Sequence, residues 1–386
     1  MKKILYIPYT YPYPANNGGT IAIASHIEEL MKSKFADIIQ YYFPVSNSNK
    51  NLKNIPNNFK ISSCKISHYE WLIKIYYLLF SKYTYSYNIF TGKDFRNKVK
   101  NYDPDIIIAD TMLSYKLIKD IKFNKCLIYI AHNIEYNYYK DLYYIEKNPF
   151  VKLRLFINTI KIKFIEKNIC NQAKAIICIS ASDYNYFKNI YPNKVEFLPH
   201  KIEIQNDKWQ GENEKSLFFC GPLHFAPNKD SVQWIAEKLA PILSKDIKIK
   251  IAGKGTDNVP NGWKKENIEY LGFVSKKELL DLYRNSSAFL CPIIYGSGVK
   301  IKVTEALGFG TPIIATKEAL EGLDYIDIKP LINRNDLEKT KENIENLLNN
   351  KESLQQYSNN LIEQITQYQK DNNNSLEKII GDCLND

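Results

Sequence analysis

Short apolar runs alternate with amphipathic stretches along almost the whole chain. Lys3–Tyr9, Ile38–Phe43, Asp105–Ala109, Cys126–Ala131, Ala175–Ile179 and Val195–Leu198 are too short for stable helices and read as strands. Ser216–Cys220, Ile247–Ala252, Ile268–Leu271, Ala288–Cys291 and Pro312–Ala315 read the same way in the second half. Between them lie stretches with helical spacing: Thr20–Ser33, Val151–Cys170, Lys229–Leu243, Lys276–Asn285 and Lys300–Leu307. Repeated strand–helix alternation predicts an α/β protein whose parallel sheets are covered by helices on both faces. Two such sheets are expected.

The join is expected at Lys201–Glu214, which is polar and lacks apolar periodicity. That places a first domain at 1–200 and a second at 201–369, in keeping with a length of 386 residues. The polar run Asp371–Ser375 interrupts the helical C-terminal part, and Ser375 can cap a final helix. Every long apolar stretch is broken by Lys, Asp or Glu, so no transmembrane helix is predicted. Met1–Leu5 imitates a signal peptide, but Pro8, Pro12 and Pro14 break any apolar core, so the segment is expected to stay and form the first strand.

Composition adds two points. Net charge is +10, but residues 1–200 hold 28 Lys and Arg against 15 Asp and Glu (+13), while 201–386 hold 24 against 27 (−3). Such an asymmetry between the halves points to an anionic partner. No nucleic-acid motif accompanies it, so nucleic acid is not expected. The seven cysteines are scattered, with no Cys-x-x-Cys; Cys126, Cys178, Cys220 and Cys291 lie in apolar runs. A reducing, cytoplasmic setting fits.

The usual nucleotide motifs are missing. Gly253-Lys254-Gly255 keeps two glycines of G-x-G-x-x-G but has Asn258 at the third, and there is no P-loop. Two glycine turns remain, each between a strand and a helix: Asn16-Asn17-Gly18-Gly19-Thr20 and Gly296-Ser297-Gly298. A side-chain-free turn before a helix N-terminus suits an anion, because free N–H groups and the helix dipole both favour negative charge. Glu305 falls one and a half turns into the second helix, where a carboxylate can accept charge-assisted hydrogen bonds. Lys302 shares its face and Lys300 lies nearer the turn; either can neutralise an anion. His132 follows an apolar strand, at the carboxyl end where such sheets bind ligands. His26 and His68 read as ordinary satisfied histidines. No His/Cys/Asp cluster has metal-ligand spacing, and Asp103-Pro104-Asp105 and Asp324-Tyr325-Ile326-Asp327 are unconvincing, so no metal is expected.

The stretch Gly296–Thr316, with Glu321-Gly322-Leu323, resembles the donor-site motif of GT-B glycosyltransferases of family 4. Other matches occur in the family's order. Phe218–Leu223 with Pro227-Asn228 is similar to the first strand and turn of the donor domain. Tyr270–Val274 is similar to the loop that reads the base. Ala131–Glu135 and Ile179–Asp183 are similar to N-terminal motifs.

The resemblance implies two Rossmann-like domains facing a cleft: an acceptor domain at 1–200, with 370–386 crossing back to it, and a nucleotide-sugar domain at 201–369. It implies sugar transfer from a nucleotide-diphosphate sugar to a glycan or lipid-linked glycan, in bacterial surface polysaccharide assembly. Configuration is expected to be retained by front-face attack, the leaving phosphate taking the acceptor proton, with the nucleotide sugar as co-substrate and no cofactor. His132 and Lys302 are the catalytic candidates. Gly18, Gly19, Gly221, Lys254, Phe273, Val274, Gly296, Ser297, Gly298, Val299, Lys300 and Glu305 are the donor-binding candidates. His200 and His224 fall near the cleft by sequence order. Three positions depart from the wider family: Ser297 replaces a second glutamate, and Pro222 and Pro227 stand where a cationic pair often grips the diphosphate. They support an alternative, a non-catalytic GT-B module that binds nucleotide sugar or glycan as a scaffold.

The basic apolar stretch Lys147–Lys167, and less so Trp71–Tyr83, reads either as an interfacial helix on an anionic membrane or as a packed helix with snorkelling lysines. The first reading places the protein on the inner face of the plasma membrane.

Overall fold

The computed structural model describes residues 2–13, 18–45, 59–63, 93–112, 114, 126–199, 201–211, 214–295, 299–372 and 374–385. The chain divides into two compact units: Met1–His200 with Asn374–Asp386, and Lys201–Asn373. Trp71–Tyr83, His68, His200, Asn16, Asn17 and the turn 296–298 lie outside the described residues.

In the first unit the strands are β1 (Ile4–Pro8), β2 (Ile39–Val45), β3 (Phe59–Ser63), β4 (Ile106–Asp110), β5 (Cys126–Ala131), β6 (Ala175–Cys178) and β7 (Val195–Phe197). They lie in the order β3-β2-β1-β4-β5-β6-β7, and every neighbouring pair is parallel. The helices are α1 (Gly18–Lys32), α2 (Lys93–Tyr102), α3 (Glu135–Ile145), α4 (Pro149–Gln172) and α5 (Ala181–Ile190), with a C-terminal helix at Leu376–Asn385. Ile4–Pro8 is buried throughout, as the centre of a sheet requires. β3 is not marked by the sequence pattern: only Phe59 and Ile61 are apolar, which is enough for an edge strand with one neighbour.

The second unit holds β8 (Ser216–Cys220), β9 (Lys248–Ala252), β10 (Ile268–Gly272), β11 (Ala288–Cys291) and β12 (Ile313–Ala315). Their order is β10-β9-β8-β11-β12, again all parallel. Its helices are α6 (Ala226–Trp234), α7 (Lys276–Asn285), α8 (Ile301–Phe309), α9 (Leu337–Leu348) and α10 (Lys351–Asp371); the C-terminal helix is then α11. Both units are doubly wound, as the alternation predicts. Each sheet has an apolar core on both faces. In each the strand order reverses beside the first strand, at β1/β4 and at β8/β11, which opens a crevice at the carboxyl ends.

Two local expectations are corrected. The predicted helix Lys229–Leu243 starts earlier, because Pro227 is suited to a first helical turn, and passes into a π-helical turn at Ile235–Leu239. The polar segment after His200 is no free linker. Ile202 and Trp209 are buried, Gln205 and Trp209 donate backbone N–H bonds to Gly308 and Phe309, and the Trp209 indole donates to Ser286 O at 2.7 Å. Two apolar anchors in an otherwise polar stretch hold it on the second unit.

Candidate active site

In the second unit, polar groups gather at the β8/β11 crevice. β8 ends at Cys220, and Gly221 continues with φ 156°, a backbone suited to glycine. A Cβ there would stand 2.5 Å from Asn228 Nδ2 and 2.7 Å from Lys302 Nζ. The missing side chain is therefore what lets the Lys302 ammonium reach the sheet edge. Lys302, in the first turn of α8, donates to Asn228 Oδ1 at 2.6 Å and lies 4.6 Å from the centre of the Phe219 ring. Asn228 is itself fixed, donating to Pro222 O at 3.1 Å.

Glu305 lies one turn further along α8. Its Oε2 accepts from the Tyr283 hydroxyl at 3.0 Å. Burial raises its pKa, opposed by that hydrogen bond and by the charges of Lys276 and Lys302. Tyr283 is fully buried from α7, packed on Phe218, Phe289 and Phe309. Lys300 precedes α8 without a side-chain cap, and its Nζ is 3.5 Å from Glu321 Oε2. Of the two lysines weighed for a diphosphate, Lys302 is the one at the crevice beside Gly221. Val299 is half-buried and leads into α8, whereas Gly296, Ser297 and Gly298 are outside the described residues. Lys254 is exposed in the turn after β9, its carbonyl accepting from Leu223 N. After β10, Phe273 is 82% exposed and open to a ligand, while Val274 packs on the core. His224 is exposed in the turn after β8.

In the first unit the β1/β4 crevice is built on Asp110, the last residue of β4, which is fully buried. Its Oδ1 pairs with His132 Nε2, and its Oδ2 takes His26 Nδ1 at 3.0 Å together with the Tyr6 hydroxyl. Burial alone would raise the Asp110 pKa; the charges and hydrogen bonds of His132 and His26 outweigh it and hold the carboxyl well below the usual range. For His26 burial favours the neutral ring, yet Asp110 and Glu29 leave its pKa raised. The residue after Asp110, Thr111, has φ 92°, which costs roughly 1–3 kcal/mol in a non-glycine residue and falls where function tolerates strain. Gly18 and Gly19 begin α1, the helix that also carries His26.

The fold brings together groups that lie far apart in the sequence. A His/Asp cluster does exist: ligand atoms of His26, Asp110 and His132 lie within 4.8 Å of one another. Linear spacing is blind to it because the three come from α1, β4 and the end of β5. His26 is buried, as a core histidine would be, but its partner is the carboxylate that also holds His132. The ring nitrogens nearest Asp110 are already hydrogen-bonded to it, so an ion at this point would have to displace those bonds. Asp110, Tyr6 and Tyr283 escape sequence reading for the same reason; the one signal was Asp110 as the polar end of an apolar strand.

The order of the two sheets and the crevices at their switch points define two Rossmann-like domains of the GT-B class. Similarity to known proteins agrees. Residues 214–350, which hold all of the second unit's candidate residues, match the family described as Glycosyl transferases group 1. An uncharacterized 44.6 kDa protein in the cps region of Klebsiella pneumoniae is 24% identical over 354 residues, 87% of this chain and 88% of its own. Sucrose-phosphate synthase from Thermosynechococcus elongatus superimposes with TM-score 0.67 at 12% identity, over 95% of this chain and 94% of that one. TarM superimposes with TM-score 0.67 at 12% identity over 100% and 98% of the two chains. A complex of S. aureus TarM with fondaparinux, alpha-GlcNAc-glycerol and UDP gives 0.56 at 17%, over 75% of this chain but only 57% of that one. At such identities the structural likeness is one of fold. Together with the matched domain it supports a GT-B glycosyltransferase.

Proposed function

We propose that this protein transfers a sugar from a nucleotide-diphosphate sugar to a hydroxyl of a glycan or lipid-linked glycan, with retained configuration and without a metal. The observation that carries the reading is the second unit's crevice, where Gly221 admits the Lys302 ammonium and α8 presents the Glu305 carboxylate. Glu305 would accept from the ribose hydroxyls. Lys302, held by Asn228, and the uncapped start of α8 would stabilise the leaving diphosphate. Pro222 and Pro227 fit this arrangement: the first anchors the Asn228 amide and the second starts the helix that bears it. In the first unit, His132 stays the catalytic candidate, its ring fixed through Nε2 by Asp110. The cps-region relative supports a place in surface polysaccharide assembly at the cytoplasmic face. The chain is expected to need no cofactor besides its co-substrate.

The test is a thermal-shift panel of UDP-, GDP- and CMP-sugars in excess EDTA, followed by transfer to lipid-linked glycan acceptors. A ligand that binds only the folded state raises its apparent stability by mass action. One donor should stabilise the protein and support transfer in EDTA. Binding without transfer or hydrolysis would favour the scaffold alternative. Stabilisation by no nucleotide sugar would overturn both.

A further inference from the structure

Helix α4 is apolar on two opposite faces. Leu155 is buried, and Ile162, Ile165 and Ile169 are buried in the core against the sheet. On the other side Leu153, Phe156, Ile160 and Phe164, spaced three, four and four residues apart, form a stripe whose members are 48–58% exposed. Phe150 at its start is 84% exposed, and Tyr144 and Ile145 at the end of α3 extend the patch. At 3.6 residues per turn, Lys152 and Lys163 fall along one edge of the stripe, and Arg154 and Lys161 along the other. From Lys147 to Lys167 the chain holds six Lys and Arg, and its one acid, Glu166, is turned into the core. A contiguous exposed apolar patch of this kind marks an interaction site.

We infer that the outer face of α4, with the end of α3, docks on an anionic lipid bilayer. An apolar stripe bordered on both sides by cations matches the boundary between acyl chains and acidic headgroups: the stripe enters the hydrocarbon edge while the lysines and arginine meet phosphate. At 1.5 Å per residue the helix runs about 36 Å in the plane of the surface. Among the described residues no helix is long and apolar enough to cross a membrane, so the helix lies on the bilayer. Asp141 and Glu146, in and just after the last turns of α3, are the nearest acids in sequence, and both precede the stripe. The surface stands independently of the donor site. Its service to a membrane-borne acceptor rests on the glycosyltransferase reading.

The full chain should co-sediment with vesicles of 30% phosphatidylglycerol in phosphatidylcholine at least tenfold more than with pure phosphatidylcholine, and should be released as salt rises. Replacing Lys152, Arg154, Lys161 and Lys163 by Gln should remove the preference for anionic vesicles. The variant Phe156→Ser, Ile160→Ser, Phe164→Ser should lose vesicle binding even at low salt, while its melting temperature and nucleotide-sugar shifts stay as in the wild type. Failure of the wild type to bind anionic vesicles would overturn the inference. So would a dimer, seen by light scattering, that the triple substitution dissolves. Vesicle binding with no donor binding would leave this surface standing and sink the transferase reading; the converse result would do the reverse.

Discussion

Glu305 and Asp110 are both carboxylates at a sheet's carboxyl edge, yet their surroundings set them apart. Glu305 is partly desolvated with a neutral tyrosine as its direct partner, and its pKa is raised. Asp110 is fully buried between two histidines, and its pKa is depressed. Glu305→Ala should therefore cost donor binding about 1.5–3 kcal/mol, the worth of a hydrogen bond to a charged group, with little loss of stability. Calorimetry with the donor found in the panel reads this directly, and unchanged affinity would remove Glu305 from the site. Because the carboxylate is the acceptor, affinity should also decline as pH falls, starting above the ordinary glutamate value. For His26 the raised pKa makes a stability statement. Its contribution is complete below about 6.5, where the unfolded histidine is also charged, and is lost as pH rises through the higher folded value. Asp110 acts at the other end, contributing above about 4 and losing its contribution as pH falls. The melting-temperature gap between wild type and His26→Asn should thus narrow from pH 6 to pH 9, and a constant gap would show that His26 acts by packing alone.

The strands were legible from short apolar runs: eleven of the twelve described strands coincide with one, and β3 escaped by being a short, polar edge; of the helices, α2, α3 and α5 were not marked. Helix α8 was legible too, since its glycine turn, Lys302 and Glu305 lie within ten residues. What sequence order hid is contact between elements. Tyr283 reaches Glu305 from α7, and Tyr6, His26 and His132 reach Asp110 from three elements far apart in the chain. The same holds for Glu166 on the inner face of α4. Its Oε1 accepts the Glu135 N–H at 2.7 Å, tying α4 to the start of α3. Burial, with the neighbouring Glu135 carboxyl, raises Glu166 to about 8, and burial raises Glu135 to about 7. Between pH 4.5 and 8 the unfolded chain gives up these protons before the folded one does, so stability falls as pH rises. Glu166→Gln keeps the acceptor and removes the charge. It should melt like the wild type near pH 5 and higher than it at pH 9, by about 2–4 °C for each kcal/mol relieved. A variant that melts lower at both values would show that the carboxyl contributes chiefly as an ion.

At the scale of the whole molecule, chain order and spatial order part company at the end. The polypeptide completes its first sheet, builds the second unit, and then returns: α11 belongs to the first unit. Leu376, Ile379 and Ile380 are buried in the core that also holds Ile4, Ile23 and Ile27. The return is fixed by polar groups as well, Leu376 N donating to Glu29 Oε1 at 2.7 Å and Asn374 Nδ2 to Phe197 O at 3.2 Å. Fully burying a Leu or Ile is worth about 1.5–3 kcal/mol, so these three alone bring about 5 kcal/mol or more to the first unit. That is a large share of the roughly 5–15 kcal/mol by which a domain is stable. Deleting residues 374–386 should therefore lower the first unit's melting transition by about 10–20 °C. The second unit keeps both of its cores and its crevice residues in such a truncation. Its melting transition and the nucleotide-sugar shift should persist, while sugar transfer fails as the first unit loosens. Calorimetry of the truncated chain with and without donor separates these effects. Loss of donor binding along with the first transition would show that the second unit does not hold its site alone.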